Sequence, residues 1–151
     1  MFDERSELLI LGSFPSVLSR RVDFYYGNPQ NRFWGMLCGF FGESIPPDTA
    51  GKRAFLQRRR IALWDIVTEC DVVGSADASI RGECIADLPA LFGACPLRAV
   101  FCNGSKSYAL TVKHFPQYTD MVRLLPSTSP ANPRYRKETW EAALADVFPR
   151  R

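Results

Sequence analysis

The sequence predicts an α/β fold, a three-layer α/β/α sandwich with a central four-stranded parallel sheet, and three observations carry that expectation. Four short, largely apolar runs, Leu8–Leu11, Ile61–Trp64, Leu97–Cys102 and Val122–Leu125, have the length of strands buried on both faces. Stretches of helical period stand between them and after the last, and alternation of strand and helix is the pattern of a parallel sheet covered on both sides. The runs give way to Gly12, Asp65, Asn103-Gly104 and Pro126, residues that stop a strand and open a loop. A length of 151 residues suits one domain over 1–151 with a core of its own.

Met1 to Ser6 is a polar lead-in to the first strand. Gln30 to Phe41 reads as a helix, because Phe33, Trp34, Leu37 and Phe41 share one side and Pro29 stands where a missing N–H is harmless. Gly42 ends it. After the turn Ile45-Pro46-Pro47, Asp48 or Thr49 can cap a helix over Ala50–Arg59, whose basic end suits the macrodipole. Ile66-Val67 can prolong the second strand or open a helical turn, and Asp71–Asp77 reads as a loop. Glu83–Leu91 is expected to be a short helix interrupted at Pro89. Lys106–Lys113 and Arg134–Phe148 are the remaining helices, the last with Tyr135, Trp140, Leu144 and Phe148 inward. The expected core is Leu9, Ile10, Leu11, Leu63, Val100, Phe101, Leu124 and Leu125 in the sheet, with Phe33, Trp34, Leu37, Trp140 and Leu144 over it.

Composition narrows the chemistry. The formal charge is +3, a weak argument for an anionic partner, and arginine dominates the bases, which favours bidentate phosphate contacts. Five cysteines without CxxC spacing, and the single His114, argue against a zinc site or a disulfide framework. Buried free thiols in a reducing compartment are the expectation. No apolar span is long enough for a membrane helix, so no membrane association and a cytoplasmic location are expected. The G-x-G-x-x-G and G-x-x-x-x-G-K-[ST] nucleotide loops and the G-x-S-x-G elbow are absent. His114 reads as a surface or capping group, and no pair of carboxylates stands at usable spacing.

What remains is two loops at strand exits. One runs from Gly12-Ser13-Phe14-Pro15-Ser16 to Phe24-Tyr25-Tyr26-Gly27-Asn28-Pro29-Gln30-Asn31-Arg32-Phe33-Trp34, dense in aromatics and amides. The other is Pro126-Ser127-Thr128-Ser129-Pro130-Ala131-Asn132. Ligands of open α/β sheets bind at the carboxyl ends of strands, and aromatic and amide groups there suit a flat base with polar edges. A loop merely pinned by satellite aromatics is the competing reading.

These two motifs, with Leu63-Trp64-Asp65-Ile66, Gly74-Ser75-x-Asp77 and the trio Tyr135, Lys137 and Trp140, resemble the uracil-DNA glycosylase superfamily. Within it, the chain is most similar to the hypoxanthine- and uracil-removing branch related to mismatch-specific uracil/thymine glycosylases. The likeness runs over nearly the whole chain in the family's order. It implies a monofunctional enzyme that flips a deaminated base from DNA and hydrolyses its N-glycosidic bond, with no cofactor or metal and no β-elimination. Damaged DNA is then the partner, and a monomer is expected. A base-binding protein of the same fold that does not cut is the alternative function.

The resemblance also implies site residues. Tyr26 corresponds to the aromatic that stacks on the flipped base, and backbone N–H groups around Gly12, Ser13 and Phe14 can meet charge growing on it. Phe14 stands where mismatch-type relatives carry the water-positioning asparagine, so that role passes to Asn31, whose amide oxygen would accept a hydrogen bond from the attacking water. Asn31 is also a plausible helix cap, and Asp23 and Asp65 are the fallback candidates. Asn28 replaces the branch's usual histidine and cannot carry a proton. Ser127 replaces an asparagine beside the base. Ser129, Pro130, Ala131 and Asn132 correspond to the wedge that enters the duplex, and Arg32, Arg134, Arg136 and Lys137 are candidates for phosphate contact. Uracil and hypoxanthine share a ring carbonyl beside a ring N–H, which an amide or backbone pair can read.

Overall fold

A computed structural model describes residues 1–13, 24–68 and 84–149, apart from the side chains of Thr68 and Cys84. Its central sheet has four strands, all parallel. The first strand, β1 (Leu8–Gly12), is buried along its whole length. It pairs with β2 (Ile61–Asp65) from Leu8↔Ile61 to Gly12↔Asp65, and with β5 (Ala99–Asn103) from Leu8↔Ala99 to Leu11↔Cys102. The edge strand β6 (Val122–Leu125) continues the sheet from Val100↔Val122 to Asn103↔Leu125.

Strand residues alternate between faces, and the two faces fill two separate cores. Leu8, Ile10, Leu63 and Phe101 pack under α1 (Phe33–Phe40), α2 (Thr49–Arg59) and α5 (Lys137–Val147), through Phe33, Trp34, Leu37, Phe55, Leu56, Trp140 and Leu144. Leu9, Leu11, Ala62, Val100 and Cys102 pack against α3 (Leu88–Ala94) and α4 (Ser105–His114). The three-layer sandwich follows. Cys38, Cys95 and Cys102 are buried free thiols, and no described helix is long and apolar enough to cross a membrane.

Local chemistry moves several element ends from their expected places. Asp48 caps α2, accepting the Gly51 N–H at 2.7 Å. The first helix begins at Phe33 rather than Gln30, because Asn28 and Asn31 turn the chain first: Asn28 Oδ1 accepts the Gln30 N–H and Asn31 Oδ1 the Phe33 N–H, both at 2.9 Å. The last helix begins at Lys137, three residues later than its apolar period suggests. The helix expected over Glu83–Leu91 is displaced. Cys84–Ile85 forms β4, antiparallel to β3 (Val67–Thr68), and α3 starts behind Asp87, whose carboxylate accepts the Ala90 N–H. Pro89 sits in the first turn of α3, where proline is tolerated, instead of interrupting a helix. Leu124 is 49% exposed and leaves the expected core, since the edge strand β6 buries only Val122 and Leu125.

Candidate active site

The carboxyl ends of β1, β2, β5 and β6 lie along one edge of the sheet. The first and last of the four sequence-expected strands are not neighbours, for β5 runs between them, and its terminal Asn103 joins their loops. Asn103 is buried. Its Nδ2 donates to Thr128 Oγ1 at 3.0 Å, and its Oδ1 accepts the Thr128 N–H at 2.9 Å. Thr128 Oγ1 donates in turn to Asn31 Oδ1 at 2.8 Å. A continuous polar chain therefore runs from the central sheet through the second loop to the start of α1.

That chain fixes Asn31. Its Oδ1 accepts two hydrogen bonds, from Phe33 N–H and Thr128 O–H. A backbone N–H can meet only an oxygen, so the amide's orientation is determined and the Nδ2–H₂ end is the one left over. The sequence-based idea that the amide oxygen receives the attacking water gives way, because both of its lone pairs are in use.

Arg32, a candidate for phosphate contact in the sequence, is engaged within the protein. Its guanidinium donates to the carbonyls of Thr128, Ser129 and Asn132, the last at 2.9 Å, and lies 4.2 Å over the Tyr135 ring. It pins the second loop from within. Trp140 Nε1 holds the start of that loop by donating to the Pro126 carbonyl at 2.7 Å. Gly104, at φ +101°, lets the loop close down, since a Cβ there would lie 3.3 Å from Ser127 Cβ. Ser127 Oγ accepts the Ser129 N–H and keeps its own proton free to donate. The Asn132 amide is occupied, donating to the Ser127 carbonyl and accepting the Arg134 N–H. At the loop's tip Pro130 and Ala131 are exposed, as are Arg134, Arg136 and Lys137 just beyond it, and none of those three cations has an ion-pair partner among the described residues.

At the β1–β2 end, Gly12 faces Asp65. Burial is the larger influence on the Asp65 carboxyl and pushes it up to about 6; the nearby Met1 ammonium opposes the shift. Tyr25 is pushed up to about 12 by burial and by the Asp65 charge. Tyr26 adopts φ +55°, its ring lies on Phe33 with centroids 4.2 Å apart, and its hydroxyl is enclosed without a hydrogen-bond partner. One ring face is thus taken by Phe33. Burial raises the Tyr26 hydroxyl far above its ordinary range. Ser13 is tied by its carbonyl, which accepts the Val67 N–H.

The Asp65 carboxyl makes a testable contribution to stability. Its folded-state value lies above the ordinary aspartate value of about 3.9, so between the two the folded protein holds a proton that the unfolded chain has released. Stability from this group is lowest above pH ~6 and rises as the pH falls toward ~4. Asp65→Asn should therefore be more stable than the parent by on the order of 1–3 kcal/mol near pH ~7.5 and about equal near pH ~4, by urea unfolding at each pH. An equal gap at both values would show that the carboxyl is not buried as described.

Asn103 and Thr128 were missed as site residues in the sequence. Asn-Gly reads locally as a turn, and Thr128 as one small hydroxyl among three. The available signal was an amide at the carboxyl end of a central strand, where ligands of such sheets bind. Phe14, Pro15, Ser16, Asp23 and the Gly74-Ser75-x-Asp77 element lie outside the described residues.

No family model matches the chain. A hypoxanthine DNA glycosylase of Methanosarcina acetivorans is 38% identical over 149 residues, covering 94% of this chain and 92% of the relative. The chain belongs to the hypoxanthine-DNA glycosylase family. A second hypoxanthine DNA glycosylase, from Methanosarcina barkeri, is 35% identical over 95% of this chain and 93% of its own length. Among solved structures, the solution NMR structure of a protein from M. acetivorans described as a uracil DNA glycosylase superposes with a TM-score of 0.74 at 36% identity, over 97% of this chain and 94% of that one. The family likeness read from the two loop motifs is thereby borne out, and so is the α/β sandwich. In this glycosylase the polar chain Asn103–Thr128–Asn31 lies where both motifs meet.

Proposed function

We infer that this chain is a DNA glycosylase that hydrolyses the N-glycosidic bond of deaminated bases, uracil and hypoxanthine, after they leave the helix. Membership of the hypoxanthine-DNA glycosylase family over nearly the whole chain carries the reading, and the joining of the two loops through Thr128 gives it a geometry. Extrusion of the base costs a few kcal/mol and is cheapest at a mispaired base. Departure of the base leaves an oxocarbenium-like sugar, a strong electrophile that needs a water held in place more than a strong base. Asn31 Nδ2, on an amide locked at its other end, is suited to hold that water. Asn28, whose Oδ1 caps its own turn, keeps an amide N–H₂ for hydrogen bonding nearby. Gly12, Ser13 and Ser127 border the base site, the Ser127 O–H as a donor. The exposed Pro130–Ala131 tip is the wedge into the duplex, with Ser129 and Asn132 holding its shape through the turn closed by the Asn132 N–H on the Ser129 carbonyl.

A duplex labelled at one end and carrying a single uracil or hypoxanthine tests the activity. Alkali-labile breaks at that position are the expected result; a gel shift without an abasic site would instead mark a base-binding protein. Arg134, Arg136 and Lys137 neutralise phosphates flanking the lesion. Binding of damaged duplex should accordingly weaken steeply with salt, and Arg134→Ala with Arg136→Ala should reduce the slope of log K against log salt by about 2. An unchanged slope would remove these residues from the interface. The protein acts as a monomer, in the cytoplasm, with its DNA.

A further inference from the structure

A second cleft lies at the other edge of the sheet, and the function proposed above makes no use of it. It has a volume of about 730 Å³ and is lined in part by Arg58, Arg59, Arg60 and Arg98. Glu7, Arg60 and Arg98 directly precede β1, β2 and β5. The cleft therefore opens at the amino ends of the strands, about 16 Å from the candidate active site at ~3.3 Å per residue of a five-residue strand. Two carboxylates answer the four guanidiniums. Glu43 takes Arg58 at 2.7 Å and Arg59 beside it, and Glu7 takes Arg60 at 2.8 Å and Arg98 at 3.0 Å. Four positive charges against two negative leave a surplus of two, and Arg58, Arg60 and Arg98 are each more than half exposed. The helices α1, α2 and α5 also end here, and their last carbonyls hold part of that charge, as where Arg98 donates to the Val147 carbonyl. They do not explain Arg60. It stands at φ +60°, the left-handed position behind a helix that glycine commonly fills, with its side chain 57% exposed. The remaining lining is largely apolar: Phe40, Phe41, Val147 and Phe148.

We propose that this cleft binds an acidic peptide segment of a partner protein, with its carboxylates on the arginines and its apolar side chains among the phenylalanines. Guanidinium and carboxylate are planar, bidentate partners, and two guanidiniums that share one carboxylate keep N–H groups for another. An extended peptide in which acidic and apolar residues alternate presents the two kinds of side chain on opposite sides. DNA suits the cleft less well. The duplex under repair lies at the carboxyl ends of the strands. Grooves for single strands depend on aromatic faces on which bases stack. Here Phe40 is only 5% exposed, and Arg59 lies 4.5 Å over one face of Phe41. A partner held at the amino ends leaves both loops of the candidate active site uncovered, so it can bind while the enzyme is on DNA.

A short fluorescein-labelled peptide in which aspartate and phenylalanine alternate is the probe, and its anisotropy the readout. The variant combines Arg58→Ala with Arg60→Gly. It leaves Glu43 with Arg59 and Glu7 with Arg98, and glycine suits φ +60°, so the urea midpoint should stay near the parent's. The parent should bind the peptide, more weakly as salt is added, and the variant at least about tenfold less tightly. Counterparts with asparagine for aspartate, or alanine for phenylalanine, should also bind less tightly to the parent. Excision of uracil by the variant should remain within about threefold of the parent's rate. No peptide binding by the parent up to about 1 mM would overturn the proposal, as would equal binding by the variant or of either counterpart. A variant that keeps the peptide but loses affinity for a lesion-free single-stranded oligonucleotide, or loses excision, would make the cleft a second DNA contact and overturn it too. The binding readout stands whether or not the parent excises uracil, so its failure is distinct from failure of the proposed activity.

Discussion

Asn31→Ala should fold and bind damaged DNA, yet excise uracil and hypoxanthine at least about a hundredfold more slowly than the parent, the usual loss for a positioned catalytic group. The expectation follows from how the side chain is held. Phe33 N–H and Thr128 O–H both donate to Oδ1, and Thr128 is fixed in turn by Asn103 from the central sheet. The free Nδ2 end is therefore immobilised by groups from three different segments, the kind of placement that lowers a barrier by orienting reactants beforehand. A capping role alone predicts something else. Loss of the Phe33 bond in Asn31→Ala costs about 0.5–2 kcal/mol of stability in either case, but a cap has no bearing on the rate. Asn31→Asp retains an acceptor for both donors and should keep the parent's stability, differing only at the end that faces the reaction. Single-turnover excision by the folded variants decides between the roles. If Asn31→Ala remains within about threefold of the parent, the catalytic assignment is wrong, and Asn28 and Asp65 are the next described residues to substitute.

Trp34→Ala should cost about 3–5 kcal/mol, the range for removing a large buried aromatic and leaving a cavity. Trp34 is 4% exposed. It stacks on Phe24 and meets Phe33 and Phe55 edge-on. Its Nε1 donates to the Tyr25 carbonyl at 2.9 Å. That bond ties α1 to the residue before Tyr26, so the substitution opens the core and releases the loop that carries the Tyr26 hydroxyl. Excision should fall with stability here. Trp34→Phe retains most of the burial and gives up the N–H, and should lose about 1–3 kcal/mol, mainly through the unpaired carbonyl. Urea unfolding of the three proteins measures this, and a loss below about 1 kcal/mol for Trp34→Ala would contradict the buried position of the ring.

The strands and the helical faces were legible because their signals are local. A run such as Leu8–Leu11 can be satisfied only by burial on both faces, and the spacing of Trp140 and Leu144 names the inner side of the last helix wherever that helix packs. Helix starts were less legible. Asn28 and Asn31 use side-chain oxygens to turn the chain before α1, and local capping competes with helical period in ways that period alone does not reveal. The Cys84–Ile85 strand was hidden because it pairs with Val67–Thr68, a contact across a long interval of sequence.

By itself the sequence determined the fold class and the two loops at strand exits, which rest on composition and spacing along the chain, and the family likeness, which rests on the resemblance of the motifs that those loops carry. The partners of each polar group were decided by the tertiary structure alone. Arg32 stands among candidate phosphate ligands in the sequence and is consumed by three carbonyls about a hundred residues away. Asn103 looks like a turn residue and becomes the bridge to Thr128. Tyr26 looks like a stacking ring and turns its hydroxyl inward toward Asp65. A hydrogen bond is directional and short, so which donor meets which acceptor depends on where distant segments come to rest, and that is set by the packing of the whole sheet.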